Sequence, residues 1–336
     1  MKKLAKLCNF LFLVLPGLVF GLPEELPEPI SGPWLTGSLL TPAAYTVPQG
    51  HVNLEPYLYI NNSIGNYDEH WKPHSKETFT TTSIQVLFTV GLTSFMDIQA
   101  FPQVIYNHTS DQNSVGFADL PIQVNFQLCR EKPDNWMPDV KLAFLELFPT
   151  GKFDKLNPKK MKTDSTGEGS YISVLGLIFS KTFNFGNSHY FRARSAFSYS
   201  IPSAVDVKGF NTYGGSFDTK GKVYPANEFG VLVGLEYTPT LHWAFALDVF
   251  GITGNKTRFS GKEGASQTGT GSQQESILPF EVISVGGKSF EQLSLAPAIE
   301  YNFTRSLGLV AGIWFSVLGR NSSQFVNGVA AVNMYF

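Results

Sequence analysis

The chain has 336 residues and a formal net charge of −2; 43% of it is hydrophobic and 14% aromatic, while only 15% is charged, against about a quarter in ordinary soluble proteins. So little charge, with a net of −2, excludes a basic nucleic-acid binder. Two cysteines, Cys8 and Cys129, exclude a disulfide scaffold and a cysteine-based metal centre.

Residues 1–21 carry Lys2, Lys3 and Lys6, then an apolar run from Phe10 to Phe20, then Gly21. A basic start, a short apolar stretch and small or modest residues at Val19 and Gly21 are expected of a cleaved secretory signal peptide. The run is too short for a spanning helix, which needs roughly 20 residues, and Pro16 interrupts it. Cys8 precedes the apolar run, so a lipoprotein signal is excluded. Loss of the leader removes three lysines, takes the net charge from −2 to −5, and leaves Cys129 alone. Residues 22–49 are rich in proline and lack periodicity. They are expected to form either a periplasmic extension or a small plug, because Trp34, Leu35, Leu39, Leu40 and Tyr45 need cover.

From Gly50 to the end, apolar and polar residues alternate in segment after segment, divided by turn residues. The first is Val52–Asn61, the second Thr80–Leu92. The third, Asp97–Asn107, contains Pro102, where a bulge or break is expected. The fourth alternates most cleanly: Leu120, Ile122, Val124, Phe126 and Leu128 against Asp119, Gln123, Asn125, Gln127 and Cys129. Asp139–Phe148 and Ser170–Phe183 are apolar on both faces, and their direction is open. His189–Ile201, Glu228–Thr238, His242–Thr253, Phe290–Phe303, Leu307–Gly319 and the terminal Phe325–Phe336 complete twelve. Connections such as Thr93–Met96, Asn184–Ser188, Pro239–Leu241 and Thr304–Ser306 are short. Those between them (Asn62–Phe79, Pro149–Gly169, Pro202–Asn227, Gly254–Ser289) are mostly long and polar, with the short Asn321–Gln324 as the exception.

An even number of amphipathic strands, with short turns at one end and long loops at the other, predicts an all-β fold: one transmembrane antiparallel β-barrel of about twelve strands over residues 50–336. Tyr237, Trp243, Tyr301, Phe303 and Phe336 at the short-turn end, and Tyr199 and Phe229 at the other, fit two aromatic girdles. The terminal Phe336 is expected to act as an assembly signal for the barrel-assembly machinery.

The alternation places Arg192, Arg194, Glu236, Asp248 and Glu300 in the lumen, in its short-turn half. These charges form either a constriction that filters solutes or a structural salt-bridge cluster in a narrow barrel. Glu146 shares the parity of Val140, Leu142 and Phe144, so either that row faces inward or a bulge intervenes. His70 and His74 flank Pro73, which prevents a helical metal pair. The six histidines fall at strand ends or in loops, and none shares a level with a serine on a strand. No catalytic, cofactor or metal site is expected.

Gly116-Phe117-Ala118-Asp119-Leu120-Pro121, followed by Leu147-Phe148-Pro149-Thr150-Gly151-Lys152, and Leu295-x-Pro297-x-Ile299-Glu300-Tyr301, resemble motifs of the MetA-pathway phenol-degradation barrels of the outer membrane. Ala118 stands where that family often has Gly. The resemblance implies passive passage of small, often aromatic or hydrophobic, solutes and transfers no binding residues. The expected function is therefore a solute channel in the cell outer membrane, with outer-membrane lipids and a small-molecule solute as partners and no nucleic acid. A surface-exposed structural or interaction barrel with a plugged lumen, and an outer-membrane lipid-modifying enzyme, are the alternatives.

Overall fold

The computed structural model of the chain describes Trp34 and residues 37–132, 136–264 and 282–336. The expected leader, the stretch to Pro33 and most of the Gly- and Ser-rich part of Asn255–Ser272 lie outside the described residues.

Period-two sequence gives strands almost throughout. The first six are β1 (Val52–Tyr67), β2 (Pro73–Thr93), β3 (Met96–Ala100), β4 (Gln103–His108), β5 (Asn113–Phe117) and β6 (Leu120–Cys129). After them come β7 (Asp139–Phe148), β8 (Ile172–Asn184), β9 (Tyr190–Pro202), β10 (Val205–Lys208), β11 (Gly214–Gly215), β12 (Lys220–Tyr224) and β13 (Glu228–Thr238). The remainder are β14 (Trp243–Gly254), β15 (Arg258–Lys262), β16 (Val282–Val285), β17 (Phe290–Asn302), β18 (Leu307–Arg320) and β19 (Ser322–Tyr335).

Two pairs of these are halves of one wall strand. β3 and β4 both pair with β2 and are separated at Phe101-Pro102; Pro102 has no N–H to give to a ladder. β5 pairs with β4 and β6 with β3, so they form the next wall strand, broken at Ala118-Asp119. Counted this way the wall has twelve antiparallel strands. It closes where β1 pairs with both β2 and β19, setting Leu58 opposite Ala330 and Ile60 opposite Gly328. Closure satisfies the backbone without water, the condition for crossing a bilayer with strands.

The alternation sorts the two faces. Leu58, Ile84, Phe144, Phe197, Phe245 and Ile313 point outward and are each 41–57% exposed. That surface suits lipid, and in water it would be an aggregation hazard. Inward-facing Asn125, Asp248 and Glu300 are fully buried. Tyr237, Trp243, Phe303 and Phe336 are exposed at the short-turn end, with Tyr301 edge-on between Trp243 and Phe303. On β7, whose direction the sequence left open, Lys141 and Ala143 face inward opposite Gln127 and Asn125. Glu146 therefore lies on the outward face beside Phe144, where the Ser173 hydroxyl donates to it at 2.6 Å.

The expected long loops contain further strands. The β1–β2 ladder runs on to Tyr67 opposite Pro73. β10, β12 and β15 form a three-stranded sheet, and β11 pairs with β16. One weakness in the wall follows from the break at Ala118-Asp119. β7 ends opposite Leu120, so β5 has β4 on one side and, among the described residues, no strand on the other.

The last residue closes the wall: Phe336 N–H donates to the Val52 carbonyl at 2.8 Å, and Val52 N–H returns a bond to the Phe336 carbonyl at 3.0 Å. Deleting Phe336 is expected to lower the amount of folded, heat-modifiable barrel recovered from membranes while leaving solute passage per folded barrel unchanged. Normal membrane levels of the deletion variant would contradict this.

Candidate functional site

Gly37 to Pro48 run inside the barrel. Ser38, Leu39, Thr41, Ala44, Thr46 and Val47 are all buried, although this stretch has no regular secondary structure. Buried backbone outside helices and sheets must find partners one by one, and here the lumen wall supplies them. The Asp248 carboxylate on β14 accepts from Leu40 N–H (3.0 Å), Thr41 N–H (3.2 Å) and the Thr41 hydroxyl (2.6 Å). Glu300 on β17 accepts from Gly37 N–H at 3.4 Å. Arg194 on β9 donates to the Thr41 carbonyl at 3.3 Å.

The far end of the segment is held elsewhere. Thr46 N–H donates to the Gln127 side chain at 2.7 Å, and Gln127 donates back to the Ala44 carbonyl at 2.9 Å. Val47 N–H donates to Asp97 at 2.8 Å. Asp97 is on β3 and Gln127 on β6. From β14 the wall order runs β13, β9, β8, β7, β6, β3, so the segment is pinned at two points about half the circumference apart. It crosses the lumen. Its apolar side chains complete the interior on opposite sides: Leu39 packs with Ala296, Val310, Val329 and Ala331, and Ala44 with Ala143, Ile178 and Ala196.

Two inward glycines make room for it. A Cβ on Gly91 would lie 1.9 Å from the Pro48 carbonyl oxygen, and one on Gly234 would lie 2.8 Å from both the Thr41 hydroxyl and Asp248. A larger residue at either position forces the segment away.

Four of the five lumen charges singled out in the sequence converge here. Arg194 Nη2 lies 3.1 Å from Glu236 Oε2, an ion pair with both side chains almost wholly buried, flanked by Asp248 and Glu300. The fifth, Arg192, turns away: its Nε donates to the Thr182 hydroxyl at 3.0 Å. Phe336 is remote, at the strand terminus. Sequence reasoning missed Asp97, Gln127, Gly91 and Gly234 as parts of this site. Asp97 and Gln127 carry the inward parity of their strands. Their partners, however, come from a segment without periodicity.

The long-loop half of the lumen is occupied differently. Residues 149–171 fold back onto inward side chains of β4 and β5: Asn107 donates to the Thr163 and Ser165 carbonyls at 3.0 and 2.9 Å, and Lys160 to Ser114 at 3.1 Å. The loop is tied to the broken wall strand by Asp119, whose two oxygens accept from Gly151 N–H (2.8 Å) and Glu168 N–H (2.7 Å). Thr150 donates to the Ala118 carbonyl at 2.8 Å. Burial, then the nearby Asp119 carboxylate, push the Glu168 carboxyl above its usual range. The Gly116-to-Asp119 and Pro149-Thr150-Gly151 motifs thus meet in space, at the place where β5 lacks a second strand.

The described histidines sit outside the lumen cluster. His189 contacts the Tyr237 hydroxyl at 3.0 Å, His242 the Asn302 carbonyl at 2.7 Å and His74 Asp68 at 2.8 Å.

No family model and no curated protein matches the sequence. Among solved structures, an outer membrane channel from Pseudomonas putida F1 superposes with a TM-score of 0.65 at 12% identity, covering 88% of this chain and 100% of the other. The fold is therefore that of an outer-membrane barrel, as the sequence resemblance implied. The NanC porin (TM-score 0.41, 9% identity, 84% of this chain and 98% of the other) is a much looser likeness.

The segment is held chiefly by Asp248, because charge-assisted hydrogen bonds are each worth about 1.5–3 kcal/mol. Asp248→Ala is expected to weaken its seat by on the order of 3 kcal/mol, and Gly91→Ala to displace its Pro48 end. Limited proteolysis of the folded barrel should then cut within 37–48 in both variants and spare the wild type; equal protection in all three would sink this account.

Proposed function

We propose that the protein is an outer-membrane channel for small apolar or aromatic solutes, closed along its axis by residues 37–48. What supports the reading best is the way the lumen is filled. A structural barrel of this width could close with its own inward side chains. Here the wall instead keeps glycine at Gly91 and Gly234 and buries carboxylates at Asp248, Glu300 and Asp97 to seat a separable piece of chain. Buried carboxylates left without partners are costly, so the segment and the cluster of Arg194, Glu236, Asp248 and Glu300 act as one removable closure. On this reading the charges narrow the lumen by holding the segment. Arg192 lines the same half without touching it.

Apolar solutes fit a second feature. The free side of β5 leaves backbone groups unladdered between lipid-facing Val115 and Phe117, which are 69% and 73% exposed. In hydrocarbon such an edge has no partner, and the loop pinned by Asp119 is its cover. We assign this seam as the side route by which an apolar solute moves between lumen and bilayer. Plugging at both levels is also what the alternative, a surface-exposed structural barrel, would show.

Conductance and uptake separate the readings. In planar bilayers, the wild type should pass little current, and deletion of residues 37–48 should raise it severalfold. In cells, expression of the wild type should speed entry of a small aromatic hydrocarbon, and Asp119→Ala should alter that rate without changing ion conductance. A folded wild-type barrel that leaves hydrocarbon entry unchanged, together with a deletion that stays non-conducting, would replace the channel by the structural barrel.

A further inference from the structure

The three-stranded sheet of β10, β12 and β15 continues the wall beyond the membrane. β10 follows β9 directly, β12 leads into β13 and β15 follows β14, so the order is kept above the barrel. Its two faces differ sharply. On one, Val205 and Val223 pair, Val223 faces Phe259, and Val207 lies alongside; the three valines are buried together with Phe153 and Tyr213. On the other face the register aligns Lys208, Lys220 and Lys262 in one row, Asp206, Lys222 and Ser260 in the next, and Tyr224 and Arg258 in the last. Alternation of valine or glycine with charged residues (Val205-Asp206-Val207-Lys208, Lys220-Gly221-Lys222-Val223) thus yields a sheet with one apolar and one mainly cationic face.

Carboxylates offset only part of this charge. Asp206 lies 3.7 Å from Lys222, and Asp218 lies 2.5 Å from Lys262. Lys208, Lys220 and Arg258 have no ion pair with a carboxylate among the described residues, and Arg258 lies over the Tyr224 ring at 5.9 Å. The whole chain is slightly acidic, so the concentration of cations is local. At the foot of this face is a cleft of about 310 Å³ lined by Tyr224, Asn227, Asn255, Lys256 and Arg258. Asn227 donates to the hydroxyl of Tyr199 at 3.1 Å. Tyr199 and its neighbour Phe229 are exposed on the lipid-facing side, at the long-loop end. The cleft therefore stands directly above the aromatic band that marks the bilayer surface.

We propose that this cationic face, with Lys256 and Arg258 at its base, binds the phosphorylated glycolipid headgroups of the outer leaflet. The inference rests on the outer-membrane reading of the barrel. Charge complementarity names the ligand: phosphates at headgroup height, met by a row of Lys and Arg that starts at the girdle and rises away from it. Arg258 and Lys256 take the phosphate nearest the acyl chains. Lys208, Lys220 and Lys222 take anionic groups of the sugar portion above it. Each Lys or Arg near an anionic membrane surface contributes about 1 kcal/mol of attraction, so removing three cations is expected to weaken binding about a hundredfold.

The test uses the full-length barrel in detergent with lipopolysaccharide, and compares it with the triple variant Lys208→Gln, Lys222→Gln, Arg258→Gln. These side chains lie on the solvent side of the sheet, and heat-modifiability of the variant confirms that it folds. The wild type is expected to retain lipopolysaccharide in the presence of a chelator, as read by native mass spectrometry. The triple variant should bind about a hundredfold more weakly. Lipid A stripped of its phosphates should bind no better to the wild type than to the variant. Displacement by millimolar inorganic phosphate alone would identify a small-anion site and overturn the lipid assignment. Equal affinity of wild type and variant, or of phosphorylated and stripped lipid A, would overturn it as well. A wild type that is not heat-modifiable and does not insert into membranes would instead refute the outer-membrane reading.

Discussion

Everything in this structure depends on the ladder being closed. In hydrocarbon a backbone N–H or C=O can find a partner only within the protein, so the chain must bring Val52 back to Phe336 and leave no edge at that seam. Once the wall is closed, polar side chains have one place to go. The inward parity of the strands collects Asp97, Lys141, Arg194, Glu236, Asp248 and Glu300 in the lumen, all of them buried. A barrel of twelve strands is too narrow to hydrate so many charges freely, and these six set two cations against four carboxylates. The segment from Gly37 to Pro48 resolves the conflict by supplying backbone N–H donors where carboxylates are in excess. Arg194 answers Glu236 and the carbonyl of Thr41 at the same time.

This explains why the residues that matter for the lumen are of such different kinds. Asp248 and Glu300 are acceptors that take backbone N–H groups of the segment. Gly91 and Gly234 are absences of side chain, needed because an irregular backbone lies against the wall at van der Waals distance. Leu39 and Ala44 are the apolar counterpart, completing small clusters of alanine and valine that would otherwise line an empty interior. Polar latch and apolar seat lie on the same dozen residues, so the segment cannot shift by a residue without losing both.

The wall was largely legible in the sequence and the contents of the lumen were not. Alternation over Leu120–Cys129 or Glu228–Thr238 specifies both strand and facing, because a shift of one residue would put the polar row in lipid. Pro102 announced the break that the wall shows between Ala100 and Gln103. Asp139–Phe148 could not be oriented, since both of its faces are apolar; the deciding fact is the pairing of Lys141 with Gln127 in register. Glu146 keeps the parity of Phe144 without a bulge, but the whole row faces outward rather than inward, with Ser173 as the carboxylate's partner. Residues 37–48 carry no period at all. Their conformation is fixed by hydrogen bonds to residues as far as 263 positions away, which no local pattern encodes. The strands within the long loops escaped notice because each is only two to five residues long and those of the outer sheet are rich in charged residues, which reads as a polar loop.

The two ends of the lumen are filled by segments that share no contact residues among those named above, and this separates their behaviour. The short-turn half is closed by chain that leads straight into β1 through Gly50, whose φ of +82° permits the sharp turn from lumen to wall. Its hold is electrostatic and concentrated at Asp248. The long-loop half is filled by residues 149–171, anchored at both of its stems to Asp119 and so to a wall strand that, among the described residues, lacks a full set of neighbours. In the channel we propose, releasing the first widens the axial path while the ladder stays intact, and releasing the second loosens the wall between Phe117 and the end of β7 while the first stays seated. Ions and polar solutes are then barred chiefly by the first segment, whereas an apolar solute dissolved in the bilayer needs only the second to move.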